Sequence, residues 1–311
     1  MTTGGLARLA GAIKEARTEY GADLLVVDTG GVFPERGPRA RQRGDLALKA
    51  MEQMDYDAIG LASKDIAFGF PGIEKVRRTN PEFPVVISNL VRRSDSSPPF
   101  GRQYIIREKN GIRIGILSVA FAEELERMRA RSAFGNGLQV TPPVKALESL
   151  VQEVKGKTDI VVLLSQLPQE QTFSLVREVA GIHVALLGSP LNAFPKPIPP
   201  DLAARFVWVA PKGNILRRIE LSLDADRSIE SFATKSIRLD KTVREDLEIG
   251  RLVADEIEGW QGEERRKFQE QQKRILQMTP EQYLEYLQKQ GRLIPLEPGA
   301  SREKSASGCS D

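Results

Sequence analysis

The chain of 311 residues predicts an α/β fold, layered α/β/β/α with mixed sheets, and a C-terminal helical extension. Three observations carry that expectation. Over the first two-thirds, short apolar runs alternate with amphipathic helical patterns, as in parallel strands joined by helices. Several strand-like segments then follow one another without intervening helices, which adds antiparallel pairing. Beyond Lys241 the sequence is charged and keeps apolar residues at helical spacing.

Leu6, Leu9, Ala10, Ile13 and Ala16 mark a first helix ending near Gly21. Asp23 to Asp28 is a continuous apolar run closed by Thr29-Gly30-Gly31, which suits a strand buried on both faces with a polar carboxyl end. A helix over Leu46–Met54, a strand over Ala58–Ala62, a helix over Ile73–Arg78 and a strand over Pro84–Leu90 follow. Tyr104–Arg107 and Ile112–Val119 flank Lys109-Asn110-Gly111, and Asn-Gly between two such runs signals a hairpin. Next come a helix over Pro143–Val154, a strand over Asp159–Ser165, a helix over Gln169–Ala180 and a strand over His183–Leu187. Phe206–Ala210, a turn at Pro211–Asn214, Ile215–Leu223 and Ser231–Arg238 read as an antiparallel meander.

The spacing divides the chain into a domain over 1–240, a charged helical extension over 241–298 and a disordered tail over 299–311. In the extension, Val243, Leu247, Val253, Ile257 and Trp260 form an apolar stripe expected to dock on the preceding domain. Glu263–Arg274 reads as an exposed helix. Thr279-Pro280-Glu281-Gln282 has the form of a capping box with proline in the first turn.

Composition excludes several chemistries. One His and one Cys rule out Cys₄ and Cys₂His₂ zinc sites, disulfide frameworks and bis-His haem ligation. A net charge of +3, from 45 basic and 42 acidic residues, gives no reason to expect a nucleic-acid partner. No apolar run reaches the length of a membrane span. As written the chain is expected to be soluble and cytoplasmic; an export signal lost upstream would make it periplasmic or surface-located.

Ligands of open α/β sheets sit beyond the carboxyl ends of the strands. The residues there are Asp28-Thr29-Gly30-Gly31, Ser63-Lys64-Asp65, Ser88-Asn89, Ser165-Gln166 and Gly188 to Asn192. Asp28 and Asp65 are the only carboxylates on this rim. They could share one divalent ion with water, but the expected role is to hold backbone donors. Ser63, Lys64, Asp65, Asn89 and Gln166 are the candidate ligand-binding residues, with Lys64 as a cationic anchor. No residue is assigned a catalytic role. His183 opens a strand at the wrong end for this rim and is expected to be structural. Arg36, Arg39, Arg41 and Arg43 are expected in a solvated loop. Gly135-Asn136-Gly137 lacks the context of a dinucleotide loop, and Cys309 lies in the tail.

The order of these segments resembles the N-terminal, calcineurin-like metallophosphoesterase domain of the bacterial 5′-nucleotidase family. Gly4-Gly-Leu-Ala-Arg8 is similar to the opening of that family's first helix, and Asp23 to Phe33 to its second strand and Asp-x-Gly-Asp-x-Phe loop. Met54 to Ala62 is similar to the approach to its Gly-Asn-His-Glu/Asp motif. Phe83–Leu90, Gly111–Leu117 and Leu216–Asp224 match later strands, so the resemblance spans roughly Gly4 to Trp260. It implies a metallophosphoesterase-like sandwich and, for intact members, divalent metals and phosphoester hydrolysis. The metal ligands do not carry over. The loop Asp falls on Gly31, the Asn-His pair on Ser63-Lys64, and the acidic neighbour on Asp65. A later His falls on Gln166, and the Gly-His-x-His motif on Gly188-Ser189-Pro190-Leu191. The family's opening Asp-x-His would precede Gly4, and an upstream strand is expected for that reason. The expected function is a degenerate, non-hydrolytic binding or assembly protein without cofactor. Its partners would be an anionic or nucleotide ligand in the cleft and a protein on the C-terminal helices. The alternative is a phosphoester hydrolase with a divalent-metal site rebuilt from Asp28, Asp65 and Asn89.

Overall fold

A computed structural model describes residues 4–37, 39–100, 102–128, 137–192, 194–210 and 213–289. The chain separates into two compact units, residues 1–254 and 255–311.

The first unit opens with α1 (Leu6–Tyr20) and a 3₁₀ turn, Gly21–Asp23. Then follow β1 (Val27–Asp28), α2 (Ala40–Gln53), β2 (Ala58–Ile59), α3 (Ser63–Thr79) and β3 (Leu90–Arg92). The middle of the chain holds β4 (Tyr104–Lys109), β5 (Ile112–Val119), α4 (Ala122–Met128), β6 (Leu138–Val140) and α5 (Pro143–Lys155). It continues through β7 (Ile160–Ser165), α6 (Gln169–Glu178), β8 (Val184–Leu187), β9 (Arg205–Trp208), β10 (Ile215–Leu223) and β11 (Ile229–Arg238). Helix α7 (Leu247–Leu276) begins in this unit.

One sheet has five strands in the order β4-β5-β7-β8-β9. Strand β4 is antiparallel to β5, whereas β5, β7, β8 and β9 run parallel. On the other side β1 and β2 pair in parallel, and an isolated bridge from Ile59 to Val85 extends them. The β10–β11 hairpin and the β3–β6 pair are separate two-stranded ribbons.

Three apolar cores account for the layering. Successive residues of β5 and β7 bury opposite faces, as strand geometry requires. Leu117, Val119, Val161 and Leu163 face α5 and α6, in a core with Leu147, Val151 and Phe173. Ile116, Val162 and Leu164 face the other sheet, together with Ala58 and Val86 and the partly buried Val27 and Ile219. A third core joins Ile13 of α1, Leu48 and Met51 of α2 and Ile66 and Ile73 of α3 to Ile59 and Phe33. Ile249, Leu252 and Val253 at the start of α7 pack there as well. Four layers separated by three cores give the α/β/β/α sandwich, with mixed sheets and a C-terminal helical part.

Several elements differ from expectation. Strand β1 is two residues long, because only Val27 and Asp28 find a ladder partner in β2. Helix α2 starts at Ala40, so Arg41 and Arg43 belong to its first turn and not to a loop. Helix α3 starts ten residues before Ile73 and runs through Pro71, although a proline's missing N–H ordinarily marks a helix boundary. The expected meander begins with β9, which instead extends the parallel ladder of β8. Its apolar run is too short for periodicity to reveal strand direction. Helix α4 and strand β6 have no counterpart among the expected elements. The Asn-Gly hairpin is present, with Asn110 and Gly111 both at positive φ (48° and 73°), the signature of a type I′ turn. Residues 1–3, Gly135, Asn136, Pro211, Cys309 and the tail expected over 299–311 lie outside the described residues.

The second unit holds the rest of α7 and helix α8 (Pro280–Lys289). The capping box at its start is formed: Gln282 Oε1 accepts the Thr279 N–H at 3.0 Å, and Thr279 Oγ1 accepts the Gln282 N–H at 3.4 Å. No described helix is long and apolar enough to cross a membrane.

Candidate functional site

Strand ends from both sheets meet at one rim of the sandwich. The joining bonds are Gly60 N–H to Asp28 O, Ser88 N–H to Ser118 O, Gln166 N–H to Val119 O and Gly188 N–H to Ser165 O. All the expected candidates lie along this rim, and most of their polar atoms are already occupied.

Asp65 is buried and sits in the first turn of α3. Its Oδ2 accepts the N–H groups of Gly31 (2.5 Å) and Ala62 (2.9 Å), and its Oδ1 accepts the Phe33 N–H at 2.8 Å. The carboxylate therefore caps α3 from within and holds the 31–33 loop. Burial pushes its pKa up, and the three backbone donors oppose that shift. Asp28 is less committed. Its Oδ1 accepts the Gly30 N–H at 2.7 Å, and burial pushes its pKa up to about 6. The Gly30 bond and Lys64 pull it down, while Asp65 adds to the rise.

Asn89 spends both ends of its amide on one residue, donating to Ala120 O at 2.9 Å and accepting Ala120 N–H at 3.0 Å. Ser63 donates to Phe121 O at 3.0 Å. Gln166 donates through Nε2 to Thr29 O at 2.7 Å, across the two sheets. Lys64 makes no hydrogen bond and no ion pair among the described residues, and its side chain lies against Gly31. A Cβ placed on Gly31 would be 3.3 Å from Lys64 Cε and 3.6 Å from Nζ. The ammonium thus stands where the resemblance would put a metal-bridging carboxylate.

Two further residues belong to the rim. Ser118 Oγ is buried with no hydrogen-bond partner, next to Gly60. Asn192 accepts Gln169 N–H at 2.8 Å and donates to Leu167 O at 3.1 Å, fixing the loop after β7. Ser118 was legible only as one hydroxyl near the apolar end of its strand. His183 is away from this rim: its Nδ1 accepts the Val161 N–H at 3.0 Å, and burial together with Lys155 lowers its pKa. Arg36 and Arg41 are exposed and lie 3.7 and 3.9 Å from Glu35 and Asp45.

The donor set does not fit a two-metal centre, which requires several anionic or imidazole ligands and a bridging group. Asp65 has both oxygens on backbone donors, Asn89 is clamped to Ala120, and Lys64 brings a positive charge. Among the described residues no three His, Cys, Asp or Glu side chains converge as a metal would need.

No family model matches the chain. Over 108 residues it is 34% identical to the uncharacterized metallophosphoesterase YunD of Bacillus subtilis (strain 168), covering 34% of this chain and 22% of that protein. It superposes on Thermus thermophilus sulfate thiohydrolase SoxB in complex with glycerol with a TM-score of 0.70 and 18% identity, over 84% of this chain and 48% of that one. For a 5′-nucleotidase precursor from Thermus thermophilus the values are 0.69 and 19%, over 84% and 54%. For the calcineurin-like phosphoesterase YfkN from Bacillus subtilis they are 0.67 and 18%, over 83% and 90%. The chain therefore spans 22% of YunD and, at 48% and 54%, about half of the two Thermus proteins. The fold is that of the calcineurin-like phosphoesterases, and the resemblance to the N-terminal domain of 5′-nucleotidases holds at that level.

Proposed function

We propose that this chain is a metallophosphoesterase-like domain that has given up metal-dependent hydrolysis for binding or assembly. The observation that carries this reading is the Lys64 ammonium over Gly31. A cation at that position repels a divalent ion and leaves no carboxylate to bridge a pair. The cleft would take an anionic group, such as the phosphate of a nucleotide, with Lys64 as its anchor. Lys64 suits that role because its donors are uncommitted and it opens α3, whose N-terminus favours negative charge. Ser63 and Gln166 shape the cleft through bonds to Phe121 and Thr29 rather than by offering free donors.

The test combines metal analysis of the purified protein with hydrolysis assays on p-nitrophenyl phosphate and nucleotides in added Mn²⁺. The reading expects no stoichiometric metal and no turnover, with nucleotide binding that Lys64→Met abolishes. Stoichiometric metal, together with turnover abolished by Asp28→Asn, would establish instead a hydrolase with a rebuilt site. Asp28→Asn is the informative variant, since its amide oxygen can still accept the Gly30 N–H.

A further inference from the structure

Among its described residues the second unit has no interior. No described residue from 255 to 289 is buried, yet both of its helices carry apolar side chains. Ile257 is 41% exposed, Phe268 60% and Leu284 52%. Gln271 of α7 donates to the Tyr286 hydroxyl of α8, which ties the two helices together near their connection. Two helices cannot bury an apolar face between them as a bundle does, and a helix of ten residues such as α8 is marginal in water by itself. Among the described residues, these apolar side chains lack a cover.

The charges on α7 indicate what covers them. At 100° per residue, Ile257, Trp260, Glu264, Phe268, Gln271 and Ile275 fall on one stripe. Glu256, Glu263, Lys267 and Arg274 line one flank of it. Their order is a palindrome about residue 265: acid, acid, base, base at mirrored positions. When two identical helices run antiparallel, with the two-fold axis at residue 265, Glu256 of each lies level with Arg274 of the other. Glu263 likewise lies level with Lys267. Beyond this flank, Asp255 and Glu258 lie on the acidic side and Arg266 and Lys273 on the basic side, which also holds Glu270, while Arg265 sits at the axis. Asp255, Glu263, Arg265, Arg266, Lys273 and Arg274 make no ion pair among the described residues. The stripe from Ile257 to Ile275 runs for about 27 Å, enough for a packed helix seam.

We infer that a second copy of this chain docks here, α7 antiparallel to α7. The inference does not depend on the chemistry of the cleft.

Sedimentation equilibrium of the full chain tests it. The wild type should be a dimer whose affinity falls as salt is raised, because the flanking pairs are exposed and screened. Phe268→Glu should give a monomer with an unchanged circular dichroism spectrum of the first unit. Glu256→Lys with Glu263→Lys makes the flank uniformly positive and should weaken the dimer by about tenfold or more. Adding Lys267→Glu and Arg274→Glu restores the palindrome with its signs exchanged, and should restore dimerisation. A wild type that stays monomeric at micromolar concentrations overturns the proposal. So does a dimer indifferent to both the double and the quadruple variant, which would place the contact elsewhere.

Discussion

At the scale of single residues, the rim is a set of acidic and amide side chains turned inward to hold backbone. Asp65→Ala should destabilise the protein by at least about 3 kcal/mol, since it orphans three N–H groups at once. Urea unfolding measures this, and a loss below about 1 kcal/mol would mean that water readily replaces the carboxylate. Asp28 and His183 make opposite contributions to the pH dependence. The folded pKa of Asp28 is raised to about 6, so its contribution is fully present below the ordinary carboxyl value and is lost as pH rises through about 6. Asp28→Asn should therefore stabilise the protein at pH 8 by on the order of 1–3 kcal/mol, and the gain should vanish below about pH 4. For His183 the folded pKa is depressed, so its contribution is present above about 6.5 and is lost as pH falls through the folded value. His183→Gln should remove that part of the acid sensitivity, seen as the difference between wild-type and variant urea midpoints from pH 8 to pH 5. The rim's location was legible in the sequence, because polar residues ending apolar runs mark strand ends. What each residue touches was not. Nothing local tells Asn89 to clamp Ala120, 31 positions away.

At the scale of elements, α2 and α3 are locked together by one aromatic ring. Phe33 is buried between them, and a Cβ on Gly44 of α2 or Gly69 of α3 would overlap its ring. Helix propensity alone favours alanine at both positions by about 0.5–1 kcal/mol. Overpacking should reverse the sign, and Gly69→Ala is expected to cost about 2 kcal/mol. In a Phe33→Ala background the same change should become neutral or favourable, a coupling that a double-mutant cycle reads directly. Additive effects would show that the ring is free to move away. Elements with a capping signal or a turn signal, such as α8 and the β4–β5 hairpin, were legible to within a residue or two. The start of α3 was not, because Ala62 offers no capping side chain and Asp65 caps the helix from inside it. The direction of β9 was also hidden, since parallel and antiparallel partners demand the same apolar residues.

For the whole molecule, the two units differ in how their stability arises. The first has three cores; the second has none of its own among the described residues. Limited trypsin digestion should cut first within residues 255–289 and leave a fragment that keeps the cooperative thermal transition. Self-association would slow that cleavage as protein concentration rises, because binding draws the open form back by mass action. Loss of the transition on the first cut would show that the helices stabilise the sandwich itself.

The lysine lying over Gly31 also governs which sequences can be reached from this one. An aspartate at Gly31 would have to adopt φ near +94° and would crowd the Lys64 side chain. A histidine at position 64 alone would have Asp28 nearby, whose Oδ1 already accepts the Gly30 N–H, and no second carboxylate at Gly31 to bridge a pair of ions. The two positions are therefore coupled: a change at Gly31 meets the Lys64 side chain, and a change at position 64 gains a metal-bridging neighbour only when Gly31 changes with it. At this rim, residues 31 and 64 can be exchanged only as a pair.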